Sequence, residues 1–292
     1  MLNKDSIQAL INLLDDPDEE IIIHVQGKIR SFGKEAIPYL ENAWEESEIT
    51  AIHQQRIEQL THEIQFNQVK LELELWKKSN ELDLIDAWII ISKWQYPGIK
   101  ETILRTKIDE IRQDVWMEIN DQQTAFEKVK IINKIFYQLH HFKGDTKNYH
   151  SPLNSYLNTV IETKHGNPLS LSILYSTIAQ SLNIPIFGVN LPNHFILAYM
   201  DENQVNQLLG NTTNYGVFFY INAFSDGSII YENDIRNFLS DLKLPEEKGY
   251  FEPCAHSIII QRLLINLISS YQSLGKADKI NELLELKEIL TA

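Results

Sequence analysis

The stretch from Lys164 to Tyr199, KHGNPLSLSILYSTIAQSLNIPIFGVNLPNHFILAY, confines the fold more than any other part of the chain, because helical and strand patterns meet in it without a linker. Leu171, Leu174, Ile178 and Leu182 recur at helical spacing after a Gly-Asn-Pro turn, which predicts a helix over 168–182 buried along one face. Asn167 is a natural N-cap, and Pro168 suits the first helical position, where a missing N–H costs nothing. After an Ile-Pro break come β-runs at 186–191, 194–200 and 217–221, and Asp226-Gly227 marks a hairpin turn toward 229–231. Strands gathered after helices predict an α+β chain, predominantly helical, with a small antiparallel sheet instead of a doubly wound one.

The flanks read as helices. In LLDDPDEE, Asp16 is placed as N-cap and Pro17 as the first helical residue, with Gly33 closing that helix and Pro38 in the first turn of the next. This region resembles a HEAT-type helical repeat, in a single clear copy. A long amphipathic helix is predicted from Ile49 to about Asn80, a buried one from Leu82 to Trp94, and two more over 99–118 and 122–141. A polar loop after Lys143-Gly144-Asp145 leads through Pro152 into a helix over 153–162. Residues 257–290 form two amphipathic helices broken at Gly275, much like one tetratricopeptide unit capping the core. The expected division is therefore a HEAT-like region over 1–80, a core with its leading helices over 81–250, and a helical hairpin over 251–292. Trp44, Trp76, Trp88, Trp94 and Trp116 lie at helical spacing and are read as core residues.

Composition removes several classes of function. A net charge of -14, from 26 Lys+Arg against 40 Asp+Glu, opposes a phosphate backbone, so nucleic acid is not an expected partner. No window is apolar enough to span a membrane and no secretory signal is evident, which makes a cytoplasmic location and no membrane partner the expectation. The single cysteine, Cys254, leaves no disulfide framework and is read as a buried, inert thiol. Histidine spacing makes no metal site, and no glycine pattern cradles phosphate, so neither a metal nor another cofactor is expected.

One chemistry matches the order of elements. A Cys-His-Asp hydrolase needs a thiolate at a helix N-terminus, an imidazole from a facing strand, and an acid or amide that orients it. Here these places fall at Asn167–Ser170, at His194 and at Asn222, yet the helix start holds no cysteine. The stretches NSYLNTVIETKHGNPLSLSILYSTIAQSLNIPIFGVNLPNHFILAY and FYINAFSDGSII resemble the SirB family of transglutaminase-like proteins, as does the run from Asp86-Ala87-Trp88 to Pro97. The resemblance covers most of the chain and is strongest over 142–230. It implies a papain/transglutaminase-like core between an N-terminal helical region and a tetratricopeptide-like tail. It also implies a nucleophile at or near Pro168, a catalytic histidine at His194 and an orienting group at Asn222. Proline cannot attack a carbonyl. The family's usual Gly before the histidine is Asn193 here, and its common Asp and Pro are Asn222 and Ala223, although Asn is chemically competent to orient an imidazole.

No catalytic residue is assigned, and Ser170, His194 and Asn222 stand as vestigial candidates. The leading expectation is a non-catalytic protein of interaction or regulation with a protein partner, whose groove near Ser170 and His194 is shallow or filled. The alternative is a hydrolase or acyltransferase using Ser170 with His194 and Asn222, which requires the Ser170 hydroxyl within hydrogen-bond reach of His194. Ser170 as a mere third-position cap, and Asn222 as a turn residue, account for both without chemistry. A further possibility puts all binding in the N-terminal helices and leaves the core a passive platform.

Overall fold

A computed structural model describes residues 4–45, 50–79, 82–200 and 215–291, and the chain divides into two compact units, residues 1–75 with 93–97 and residues 76–92 with 98–292. The first unit is all helical. Its elements are α1 (Lys4–Asn12), α2 (Glu19–Arg30), α3 (Ile37–Glu45) and most of α4 (Ala51–Lys78). Ile7, Ile11, Val25, Leu40, Leu60 and Ile64 meet in one core, which removes the apolar stripe of every helix from water. Polar ends are also satisfied inside this unit, with Arg56 Nη1 donating to the Leu14 carbonyl at 2.7 Å and His53 Nε2 on the Ile11 carbonyl at 2.9 Å.

The start of α2 differs from expectation. Asp18, not Asp16, is the N-cap and accepts from Glu20 N at 2.9 Å, while Asp16 accepts from Asp18 N at 2.8 Å. The cause is Pro17, which holds the residue before it in extended backbone (Asp16 ψ 141) and so delays the helix. Gly33 has the left-handed φ of +58 that a chain reversal needs, but it lies past the end of α2 and opens a short 3₁₀ turn to Ala36. Two of the five tryptophans depart from the core reading: Trp44 is 45% exposed and Trp116 is 65% exposed.

In the second unit the leading helices are α5 (Leu84–Gln95, up to its last turn), α6 (Glu101–Glu118) and α7 (Ala125–Asn133), the last continued by a π-helical turn over Lys134–Leu139. Then come β1 (Lys143–Gly144), a 3₁₀ turn at Pro152–Ser155, α8 (Leu157–Thr163), β2 (His165–Gly166) and α9 (Pro168–Gln180). The helix expected over 153–162 is thus two pieces parted at Tyr156, whose φ of -101 and ψ of 130 are extended. β1 and β2 pair in parallel and bring the 145–151 loop beside the start of α9.

A four-stranded antiparallel meander follows, with β3 (Ile186–Val189), β4 (Ile196–Met200), β5 (Val217–Asn222) and β6 (Ser228–Ile230) in that order. Ile196, Ala198 and Tyr220 face α10 (Glu232–Asp241) through Ile235 and Leu239. Leu197, Tyr199, Phe219 and Ile221 point the other way, and α9 lies against β3 and β4. A bulge where Tyr199 pairs Phe219 but Met200 pairs Val217 puts one extra residue in β5. α9 is therefore buried on nearly every side, not one, because β3 and β4, α6 and α11 (His256–Ser273) all pack on it. The chain ends in α11 and α12 (Ala277–Thr291), turned at Gly275 with φ +66. Among the described residues no helix is long and apolar enough to cross a membrane.

Candidate functional site

The first turn of α9 closes on itself. The Asn167 side-chain oxygen accepts from Ser170 N at 2.9 Å, and the Ser170 hydroxyl accepts from Asn167 N at 2.9 Å and donates to the Asn167 carbonyl at 3.2 Å. This reciprocal box satisfies donors that a helix start leaves open. Asn167 Nδ2 reaches back to Ser155 Oγ at 3.0 Å, and the Ser155 carbonyl takes the Trp88 indole N–H at 2.7 Å, so the cap is fixed to the core behind it. Ser170 is 0% exposed, and a Cβ on Gly166 would stand 2.6 Å from its hydroxyl, which is why glycine precedes the cap. Pro168, the first residue of the helix, has neither a nucleophilic side chain nor a backbone N–H.

His194 stands opposite. It precedes the head of β4 by two residues, after a turn in which Asn193 takes a φ of +56, and its N–H donates to the Leu191 carbonyl at 3.2 Å. Burial draws the imidazole below its ordinary value, hydrogen bonding with the Asn222 side chain opposes this, and the nearby Arg262 charge adds to the lowering. Asn222 is the last residue of β5, and it does cap a turn: its side-chain oxygen accepts from Phe224 N at 3.1 Å and its carbonyl from Gly227 N at 3.0 Å. The loop after it is held from outside. Asn133 Nδ2 donates to the Gly227 carbonyl at 2.9 Å, and the Tyr137 hydroxyl donates to the Ala223 carbonyl at 2.8 Å. Asn133 is itself oriented by the Tyr175 hydroxyl of α9 at 2.9 Å. The π-helical turn carries Tyr137, a local distortion of a kind often found at functional sites.

Between these walls lies an open cleft of about 660 Å³, bordered by Pro168, His194, Arg262, Asn266, Tyr149 and His150 among others. The groove expected to be shallow or filled is not filled, and its size suits a small ligand or peptide side chains. His194 and Pro168 face it, whereas Ser170 does not contribute to its lining. Arg262, Asn266 and Ser269 come from one stripe of α11, three to four residues apart as one face of a helix requires. Tyr149 and His150 arrive on the 145–151 loop, shaped by Asp145, which accepts from Asn148 N at 2.9 Å. Cys254 lies outside this lining, with its N–H on the Gly188 carbonyl at 2.9 Å, and burial pushes its thiol up to about 11. Among the described residues no group of three His, Cys, Asp or Glu side chains could hold a metal ion.

Sequence reasoning brought Pro168, His194 and Asn222 to one place and missed the α11 wall. A signal existed: Arg262 is the only Lys, Arg, Asp or Glu in the eighteen residues of α11, HSIIIQRLLINLISSYQS. A lone charge in such a helix calls for an explanation that a capping hairpin does not provide.

A family described as the transglutaminase-like superfamily matches residues 103–265 of the 292. A UPF0162 protein of Xylella fastidiosa is 24% identical over 221 residues, covering 72% of this chain and 74% of its own. A UPF0162 protein of Pseudomonas aeruginosa is 25% identical and covers 66% of each chain. The mouse F-box only protein 21 is 26% identical over 58% of this chain but only 25% of its own length. No solved structure matches.

Proposed function

Given that the chain belongs to the transglutaminase-like superfamily, we propose that it is a SirB-type, non-catalytic member that binds a protein partner in its cleft and does not turn it over. The observation that carries this reading is the first turn of α9, where the position read as the nucleophile's is Pro168 and the Ser170 hydroxyl is buried in a capping box with Asn167. A serine committed in both directions to backbone is not poised for proton transfer to an imidazole. His194 keeps an imidazole hydrogen-bonded to the Asn222 amide, and in a binding protein it serves as a polar group in the lining of an open cleft. HEAT-like helices over 1–80 and a tetratricopeptide-like hairpin over 251–292 flank the core in this reading. The negative charge of the chain disfavours nucleic acid, and the single cysteine suits a reducing cytoplasm.

The test is activity-based probing and amide or ester hydrolysis by the wild type beside Ser170→Ala and His194→Ala. All three are expected to show no turnover above buffer. A hydrolase signal in the wild type that disappears in both variants would overturn the proposal.

A further inference from the structure

Among the described residues, Arg262 is the one strong cation in the walls of the cleft, and no aspartate or glutamate lines them. In a chain with 40 acidic against 26 basic residues, an acid-free cleft around a half-buried guanidinium is not what an averaged surface provides. The contrast with the other arginines is direct. Arg30 pairs with Glu63 at 2.7 Å, Arg112 with Asp109 at 2.6 Å, Arg105 with Asp86 and Arg236 with Glu232, while Arg56 donates to a backbone carbonyl. Arg262 donates one N–H to the neutral Asn190 side-chain oxygen at 3.2 Å, and among the described residues no carboxylate pairs with it.

A guanidinium has five N–H donors in a planar fork, and one is used here. Holding that charge half-buried with no counter-ion costs free energy, which an arriving anion recovers through charge-assisted hydrogen bonds. The rest of the lining decides which anion. Among the described residues no Lys and no second Arg lines the cleft to balance a phosphate dianion, and the neighbours are neutral amides and hydroxyls such as Asn266 and Ser269 beside apolar Pro168, Phe195 and Ile265. One fork, a few hydrogen-bonding groups and apolar surface match a peptide that ends in, or carries, a single carboxylate.

We propose that the cleft is a carboxylate-recognition site in which Arg262 anchors a bound peptide through its C-terminal carboxylate or an Asp or Glu side chain. This rests on the cleft being a binding site, as read above.

The full chain is titrated, by calorimetry, with three N-acetylated tetrapeptides: Ala-Leu-Ala-Asp amide, Ala-Leu-Ala-Leu with a free C-terminus, and Ala-Leu-Ala-Asn amide as the neutral control, with inorganic phosphate as competitor. At least one carboxylate peptide is expected to bind, and the neutral control to bind at least about tenfold more weakly. Which of the two acids binds identifies the source of the carboxylate. Arg262→Met is expected to abolish the preference for acid over amide while leaving the melting temperature unchanged or higher, because it removes an unpaired half-buried charge. Arg262→Lys is expected to keep only part of the preference, since an ammonium lacks the fork. Should Arg262→Met fail to fold, the Lys variant and the acid-against-amide comparison on the wild type decide the matter. Equal binding of all three peptides, no effect of either substitution, no peptide binding, or displacement by phosphate at lower concentration than by carboxylate would each overturn the assignment. Equal binding of all peptides would leave the binding reading of the cleft intact, whereas turnover of an amide substrate with the acid preference retained would sink that reading and leave the anchor in place.

Discussion

The two walls of the cleft are built on opposite principles. At the start of α9 every polar atom of Asn167 and Ser170 described above is spent within the fold, on the capping box and on Ser155. On the facing side, His194 and Arg262 present partly buried polar groups with few partners, carried by a turn and by one stripe of α11. A surface whose hydrogen bonds are internally satisfied stabilises its own fold, and one whose bonds are left open is available to a ligand. Together they border one open cleft.

The largest effect that can break this contrast is chemical reactivity. In a Cys254→Ala background, Pro168→Cys would put a thiol at a helix N-terminus on the cleft, a setting that lowers thiol pKa. Iodoacetamide labelling at pH 7.5 is expected to run on the order of a hundredfold faster there than at Cys254 in the wild type, whose thiol is pushed up to about 11. Equal rates would mean that the α9 wall is closed for reasons other than proline. Next in size, Leu174→Ala, in a helix buried on almost all sides, is expected to cost about 2–5 kcal/mol in urea unfolding, and a cost below about 1 kcal/mol would count against the packing described. Asn167→Ala is expected to cost about 1–2 kcal/mol and Ser170→Ala somewhat less, since each removes half of the capping box. Peptide binding should be unchanged by Ser170→Ala, and its loss would move Ser170 to the ligand-facing wall.

The smallest effect is on pH. The folded His194 has its pKa lowered from 6.5, so below that value the unfolded chain binds a proton that the folded one resists. Stability contributed by the neutral imidazole is therefore complete above about pH 7 and is lost as pH falls through 6.5 toward the folded value. His194→Gln is expected to flatten this part of the profile between pH 7.5 and 5.5. An unchanged slope in that variant would assign the acid sensitivity to another group.

Much of the fold could be read from residue patterns, and the failures have local causes. The helix at 168–180, the four strands, the α11–α12 hairpin and the Asn167-Pro168 cap all follow from periodicity and capping preferences. Asp16 is not the cap because Pro17 acts on its predecessor, and the 153–162 segment is not one helix because its backbone is extended at Tyr156, which nothing in its composition announces. Trp44 and Trp116 were misread since helical spacing alone does not say which face meets a core. His194 and Asn222, far apart along the chain, meet in a hydrogen bond, and no local pattern announces the open cleft that His194 lines.

What the sequence by itself determined is where helices begin and strands run, and that a proline opens the helix at 168, because these depend on neighbours within a few positions. Only the tertiary structure decided that α9 is enclosed, that Ser170 turns inward, and that Arg262, sixty-eight residues beyond His194, reaches the same cleft with no carboxylate of the described residues beside it. Burial and the pairing of charges are set by which distant elements pack together, and no local pattern encodes that.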